Sequence, residues 1–362
     1  MKIIDCDSHF ISPGIFDFVP AKFQDQLPKL VFDDKKTLTE VKIDADPIHP
    51  VDFEELALRA LLPGGCSFDE RIKDLEKLKV DFQLIAPQER LMRFNYTLEK
   101  NLAAAISHSY NLSVKNIMEQ YPNKFFGPAL LPMQDIDLAI KELNWAIENN
   151  FTSVYIAVPF DQKIKKNITW SMVDRIDEIY KICEENNVVI YIHLMMHYFY
   201  QNKMPDNIER ILGGVPIRSY SIAVYDLLTC GIFDKYPKLQ VVLAEVQSDA
   251  CRAIKNLIIG YQKYPDLFKG KKHFSRYLKE NMFFTIDIEM KESFNFLLNY
   301  IGSERLLFST DYPHKDPGGI NKWNDTDDLY AAGLSQTDLE NIAFRNAEQL
   351  FRLNEKTLEN LG

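Results

Sequence analysis

The chain has 362 residues, of which 46% are hydrophobic, so it can bury a substantial core in one large domain or two average ones. Its formal net charge of −10 at pH 7 argues against a nucleic-acid partner, because neutralising phosphates requires clustered Lys and Arg. The charge does not exclude a small anionic ligand, since a local Arg or a metal ion can reverse the field.

Cysteine usage and hydropathy both indicate a cytoplasmic protein without a membrane partner. The five cysteines have no CxxC spacing, which is typical of reduced thiols. They are Cys6, Cys66, Cys183, Cys230 and Cys251. The N-terminal residues lack the pattern of a signal peptide. No apolar run approaches the ~18 residues that a membrane span requires.

Short apolar runs alternate with longer amphipathic segments along the chain. Nearly uniform apolar runs are typical of strands buried on both faces. They lie at residues 2–7, 82–87, 125–131, 153–158, 187–193, 239–245, 282–287 and 305–310. Segments with helical periodicity lie at residues 69–78, 98–121, 135–149, 171–186, 219–235, 248–264, 292–300 and 335–351.

Eight strands that alternate with eight helices predict an α/β fold, the (β/α)8 TIM-like barrel. The alternative is a doubly wound open sheet, in which polar residues after strands 1, 5 and 8 would not meet easily. In a closed barrel, strands 1 and 8 are neighbours and strand 5 faces strand 1 across the mouth. We therefore expect residues 1–362 to form a single barrel domain.

Residues 10–68 do not fit the alternation of strands and helices. This stretch contains several prolines and little periodicity, and it follows strand 1 at the expected catalytic face. We interpret it as an insertion or lid within the barrel domain. A second irregular stretch, residues 198–219, follows strand 5 and would flank the same mouth.

Residues of the types that bind metals follow three of the predicted strands. Asp7 and His9 lie two positions apart at the end of strand 1, so both side chains point to the same side of an extended chain. His193 ends strand 5, and Asp311 follows strand 8. Each alone also fits an ordinary structural role, as a solvated strand end, a core histidine or a turn aspartate. Together they predict one divalent metal site at the barrel mouth.

Other polar residues near this mouth are candidates for catalysis and substrate binding. Glu245 ends strand 6 and is a candidate proton shuttle, supporting residue or fifth ligand. Arginines suit an anionic substrate, although each also fits a solvated surface position. The substrate-binding candidates are Arg90, Arg93, His197, Arg218 and His314.

These motifs resemble the amidohydrolase superfamily, in the branch that includes aminocarboxymuconate semialdehyde decarboxylase and γ-resorcylate decarboxylase. The matching segments lie at residues 4–9, 191–193, 241–245 and 307–314. The resemblance implies a distorted TIM barrel with one divalent ion, Zn²⁺ or Mn²⁺, held by Asp7, His9, His193 and Asp311. It also implies that Asp311 carries protons, and members of the branch often pair, so it implies a homodimer.

The chain departs from the family pattern at two positions. Asp7 stands where the first-strand motif often has His, and Glu245 stands where His often follows strand 6. Two carboxylates formally neutralise a divalent ion, which makes it a weaker activator of bound water. Such a site favours binding a substrate carboxylate over generating hydroxide.

Three functions are compatible with this pattern. The first is non-oxidative decarboxylation of a small aromatic or unsaturated carboxylic acid, with Asp311 or Glu245 protonating the carbon. The second is hydrolysis of an amide, lactone or ester by the same fold. The third is a catalytically inactive barrel that only binds a ligand. The sequence favours the first function.

Overall fold

The computed structural model describes most of the chain in eleven ranges. They are residues 1–11, 13–27, 29–34, 38–42, 63–87, 99–156, 160–161, 166–193, 219–245, 247–313 and 325–353. Much of the predicted insertion and the stretch after the fifth predicted strand lie outside these ranges, so the predictions for them stay predictions.

The strands are short, and most are buried. In the described ranges they are β1 (Ile4–Asp5), β2 (His9–Phe10), β3 (Lys29–Phe32), β4 (Leu38–Lys42), β5 (Phe82–Leu84), β6 (Ala86–Pro87), β7 (Phe125–Phe126), β8 (Ala129–Leu130), β9 (Ser153–Tyr155), β10 (Phe160–Asp161), β11 (Lys166–Asn167), β12 (Val189–His193), β13 (Val241–Ala244), β14 (Met282–Ile286) and β15 (Leu306–Phe308). All eight apolar runs predicted as strands contain at least one of them.

Helices follow most of these strands, as the alternation predicts. The described α-helices are α1 (Phe68–Leu78), α2 (Lys100–Gln120), α3 (Ile136–Glu148), α4 (Ile176–Glu185), α5 (Ser219–Thr229), α6 (Ile232–Lys235), α7 (Gln247–Lys263), α8 (Phe274–Glu280), α9 (Lys291–Tyr300), α10 (Asp325–Ala331), α11 (Gln336–Glu340) and α12 (Asn346–Leu350). Helix α2 ends directly before Tyr121-Pro122, where proline cannot continue it.

Parallel pairing arranges the strands in barrel order. One six-stranded sheet has the order β15-β14-β13-β12-β9-β8, and a second sheet has the order β1-β5-β7. Strands β7 and β8 are separated only by Gly127 and Pro128, so one run of chain passes from the second sheet to the first. A Cβ on Gly127 would lie 2.5 Å from the carbonyl oxygen of Ile85, which explains the glycine at this close approach.

The two sheets meet at two places, which we call seams. One is the passage from β7 to β8, and the other lies between the first and last strands of the barrel, β1 and β15. The amide of Cys6 donates to the carbonyl of Phe308 at 2.8 Å, and the amide of His9 donates to the carbonyl of Tyr312 at 2.6 Å. Ser8 and Tyr312 also form an isolated parallel bridge. The regular ladder is interrupted at both seams, so the fold is the distorted (β/α)8 barrel that the sequence predicts.

Three predicted helices are shorter or divided in the structure. The helix predicted at 335–351 consists of α11 and α12 with a π-helical segment between them at Asn341–Arg345. The segment predicted at 171–186 becomes α-helical only at Ile176, because residues 170–172 form a separate 3-10 turn and the backbone of Arg175 is left-handed with a φ of 60°. The segment predicted at 219–235 is divided at Gly231, whose φ of 82° no right-handed helix accommodates. Helices α8 and α10 are seven residues each, too short for their periodicity to predict them.

The interior of the barrel is mostly apolar, with a set of buried polar residues, and the described residues form no disulfide. All five cysteines lie in described residues with free thiols, and four of them are buried, as expected of reduced thiols. Among the helices within the described ranges, none is both long and apolar enough to cross a membrane.

Candidate metal centre and active site

Asp7 and His9 lie at the carboxyl end of the first barrel strand, where the chain passes from β1 to β2. Both side chains are fully buried. The amide of Asp7 donates to Oδ1 of Asp5 at 3.1 Å, and its carbonyl accepts from the amide of Asp311 at 3.0 Å. The end of β1 is therefore held in place on two sides before any ligand binds.

The tautomer of His9 leaves one ring nitrogen suitable for a cation. Its Nδ1 lies 3.2 Å from the carbonyl oxygen of Pro87, which can only accept a hydrogen bond. Nδ1 therefore carries a proton, and in the neutral form of the ring Nε2 presents a lone pair. A histidine that donates its other N–H to a backbone carbonyl is the usual arrangement of a metal ligand.

His193 brings the fifth barrel strand to the same point. It is the last residue of β12 and is fully buried, and its ring packs edge-on against that of His9 at 4.6 Å between centroids. One ligand atom from each of Asp7, His9 and His193 lies within 4.8 Å of the others. The structure thus brings together three of the four predicted ligands, namely the two on strand 1 and the one on strand 5.

The fourth predicted ligand, Asp311, lies against His9 from the last barrel strand. Its Oδ1 is 3.1 Å from Nε2 of His9. Oδ1 of Asp7 is 4.0 Å from Nε2 of His9 and 3.9 Å from Nε2 of His193. Two ligands of one ion with bonds near 2.1 Å lie about 3.0–4.2 Å apart, depending on the angle between the bonds. The spacing of Asp7, His9 and His193 therefore fits one divalent ion, and Zn²⁺ or Mn²⁺ is consistent with these donors, whereas Asp311 is placed beside the group by its contact with His9.

Glu245 follows β13 and contacts the same group. Its Oε2 lies 3.3 Å from Nε2 of His193. The side chain of Glu245 is 34% exposed and that of Asp311 is 35% exposed, whereas the other three are buried. Both also have positive φ, 54° and 51°, which is uncommon for residues with a side chain. Such backbone strain is typical of functional sites.

Two buried carboxyl groups lie at the site, and burial disfavours the charged form of each. Burial raises the pKa of Asp7 to about 7, although His9 opposes the shift. Burial also raises the pKa of Asp5 to about 6, against hydrogen bonds from Thr310 and Gln83. A buried carboxylate has lost its contact with water, which destabilises its charged form. A cation beside Asp7 would stabilise that charged form.

Four buried side chains that support this group were not identified from the sequence as site residues. Tyr191 OH lies 2.7 Å from Oδ1 of Asp7, so the hydroxyl fixes the orientation of that carboxylate. The other three are Asp5, Arg71 and Gln83. The sequence contained a signal for Arg71: it lies four and seven positions before Leu75 and Leu78, so it belongs to the apolar face of α1, where a charged residue is unusual.

The residues predicted to bind substrate lie outside the described part of the chain. They are Arg90, Arg93, His197, Arg218 and His314. Their roles stay predictions.

A family comparison decides what kind of protein this is. The family model described as Amidohydrolase matches residues 4–353. The chain belongs to the amidohydrolase family. It is therefore a metal-dependent enzyme, either a decarboxylase or a hydrolase, and the resemblance read from the sequence is confirmed.

Individual relatives in this family are similar at low identity. The chain is 25% identical over 97% of its length to γ-resorcylate decarboxylase of Rhodococcus jostii (strain RHA1), covering 98% of that protein. It is 23% identical over 68% of its length to 2-amino-3-carboxymuconate-6-semialdehyde decarboxylase of Dictyostelium discoideum, covering 66% of it.

A solved structure shares the fold across the whole chain. The dihydroxybenzoic acid decarboxylase of Polaromonas sp. JS666, solved with bound manganese and the inhibitor 2-nitroresorcinol, superposes with a TM-score of 0.68 at 20% identity. The match covers 98% of each chain. At this identity the likeness establishes the barrel fold.

Proposed function

We propose that this chain is a non-oxidative decarboxylase of an aromatic or unsaturated carboxylic acid. We further propose that Asp7, His9, His193 and Asp311 bind one Zn²⁺ or Mn²⁺ ion. The observation that carries the proposal is the packing of Asp311 against His9, with Asp7 and His193 at ligand spacing. Relatives named as decarboxylases of γ-resorcylate and of an aminocarboxymuconate semialdehyde support the reaction class.

The charge of the site favours decarboxylation over hydrolysis. A divalent ion held by these residues would supply positive charge for binding a substrate carboxylate. Asp7 and Asp311 contribute two negative charges, which weaken the activation of water. Tyr191 holds the Asp7 carboxylate in one orientation, so the buried ligands need not rearrange during the reaction.

The residue that transfers the proton must have a carboxyl group that can contact the substrate. Asp311 is partly exposed at the mouth, and Glu245 lies across the histidine pair from it. In the resting site Asp311 is a carboxylate; in the proposed step it first takes up a proton from water and then gives that proton to the carbon that bears the substrate carboxylate. The bond from that carbon to the carboxylate then breaks, its electron pair stays on the ring or chain, and CO₂ leaves. Asp311 ends the step as a carboxylate.

The test combines metal analysis with an assay that separates the two reactions. We expect purified protein reconstituted with Zn²⁺ or Mn²⁺ to hold about one equivalent per chain. In ²H₂O, a panel of hydroxybenzoates and unsaturated diacids should release CO₂ from at least one member, with one deuterium on the carbon that lost it. Glu245→Gln, assayed beside the wild type, tests whether Glu245 shares the proton transfer.

Two results would contradict this function. Hydrolysis of lactones, esters or amides without CO₂ release from any acid would identify a hydrolase. Less than about 0.2 equivalents of any transition metal after reconstitution would indicate a barrel that only binds ligands.

A further inference from the structure

The most unusual buried group outside the proposed ligands is Arg71 on α1. Its side chain is fully buried. Nε donates to the carbonyl of Gly64 at 2.9 Å, and Nη1 donates to Oγ of Ser8 at 3.1 Å and to Oε1 of Gln83 at 2.8 Å. Nη2 donates to the carbonyl of His9. All four acceptors are neutral oxygens, so the guanidinium is held by its fork of donors.

These hydrogen bonds concentrate on the chain that carries two proposed ligands. Ser8 lies between Asp7 and His9, and the His9 carbonyl is the backbone group of a proposed ligand itself. Arg71 therefore holds the end of β1 directly, at two consecutive residues. A planar guanidinium sets the direction of both bonds, which a flexible ammonium cannot do.

The same guanidinium also packs against the segment that carries Asp311. It lies over the ring of Tyr312 at 4.7 Å and near that of Phe10 at 5.3 Å. Tyr312 directly follows Asp311, and its carbonyl accepts from the His9 amide at 2.6 Å. One buried cation thus contacts both strands of the seam at which His9 meets Asp311.

Gln83 extends this contact to a second buried group. Its Oε1 accepts from Arg71, and its Nε2 donates to Oδ2 of Asp5 at 2.8 Å. Asp5 in turn accepts from the amides of Asp7 and Thr310, each at 3.1 Å. The hydrogen bonds that begin at Arg71 therefore extend through Gln83 and Asp5 to the backbone amides of Asp7 and Thr310. Asp7 is a proposed ligand, and Thr310 directly precedes the proposed ligand Asp311.

We infer that Arg71 is a positioning residue for the metal site. It sets the spacing between the end of β1 and the segment after β15, and thereby holds the His9 and Asp311 donors where one ion can bind both. This inference rests on the proposed metal function. Residues that support metal ligands in this way change metal affinity by about 10–100-fold when altered.

The test measures metal affinity in the folded protein without using turnover. Metal-free protein is titrated with Zn²⁺ against a chromophoric chelator, and bound Mn²⁺ is examined by electron paramagnetic resonance. Arg71→Lys keeps the charge but not the fork, and we expect its metal dissociation constant to rise at least about tenfold with an altered Mn²⁺ spectrum. Ser8→Ala removes one acceptor and should raise the constant about threefold.

Arg305→Lys is the matched control. Arg305 is a half-buried arginine that stacks on Phe283 at 4.7 Å and donates to Gln240 at 3.3 Å, at the opposite end of the barrel. We expect its metal affinity to stay within about twofold of the wild type.

The outcomes distinguish failure of the inference about Arg71 from failure of the proposed metal-dependent function. Arg71→Lys with wild-type metal affinity and a lowered melting temperature would mean that Arg71 only stabilises the fold, which overturns the inference. If Arg71→Lys fails to fold, unchanged affinity in Ser8→Ala overturns it equally. A wild-type chain that binds neither Zn²⁺ nor Mn²⁺ would instead overturn the proposed function.

Discussion

Nε2 of His9 lies 3.1 Å from Oδ1 of Asp311, although 302 positions separate the two residues in the chain. The Nδ1 proton of His9 is committed to the carbonyl of Pro87, so its Nε2 lone pair faces a carboxylate oxygen. Two electron-rich atoms at this distance need a cation or a proton between them. This pair therefore links the metal and the proton chemistry that we propose.

We expect Asp311→Asn to lower kcat by about 10³-fold, because the amide can neither carry the proton nor neutralise the ion. The melting temperature should change little, since the side chain is partly exposed and not part of the core. CO₂ release and thermal unfolding measure the two effects. Asp327→Asn removes an exposed carboxylate that pairs with Lys79, and should leave kcat unchanged. Retained activity in Asp311→Asn would rule out its catalytic role.

Tyr191→Phe tests the orientation of the Asp7 carboxylate. The substitution removes a hydroxyl 2.7 Å from Oδ1 of Asp7 with almost no change in shape. We expect the Zn²⁺ dissociation constant to rise about tenfold in chelator competition. Tyr236→Phe is the control, since its hydroxyl donates to the Asp177 carbonyl away from the site. Equal affinities in both variants would show that Asp7 needs no such partner.

Asp226 is expected to make stability depend on pH. Burial raises its pKa to about 6 from 3.8, against hydrogen bonds from Ser171. Well below pH 4 the carboxyl is protonated in both states. As the pH rises from about 4 to about 6, the unfolded chain releases a proton that the native state retains, and stability is lost. The loss is about 3 kcal/mol above that pH, from a shift of about two units.

Asp226→Asn cannot ionise and isolates this effect from that of other buried carboxylates. The unfolding free energy of the variant minus that of the wild type should increase by about 2–2.5 kcal/mol between pH 4 and pH 7. Urea unfolding at several pH values measures the difference. A difference independent of pH would mean that burial does not raise the pKa of Asp226 above its value in the unfolded chain.

Gly64→Ala is expected to disturb the packing around Arg71. A Cβ at this position would lie 1.7 Å from the Tyr312 hydroxyl oxygen and 3.0 Å from the Arg71 Cα, both in the buried interior. We expect a loss of about 2–3 kcal/mol in urea unfolding. Gly14→Ala would meet only the exposed Asp17 carboxylate, at 2.4 Å, which can rotate away. Equal stability of the two variants would show that the Tyr312 segment adjusts freely.

Much of the barrel was predictable because strands buried on both faces are apolar without interruption. The run that became β12 is such a strand, and His193 stood out as its polar last residue. Helix boundaries that depend on distant partners were not predictable. Helix α4 begins five residues later than predicted, and in the turn before it the amide of Ser171 donates to Asp226, which lies 55 positions away.

The sequence by itself determined the order of strands and helices and the presence of ligand-type residues at strand ends, because these follow from local hydropathy and spacing. Only the tertiary structure decided that Asp311 meets His9 and that Arg71 is buried against both of their segments. A charged residue can be buried only where other parts of the chain supply its acceptors. For Arg71 those parts include Ser8, 63 positions away, and no local pattern records such a partner.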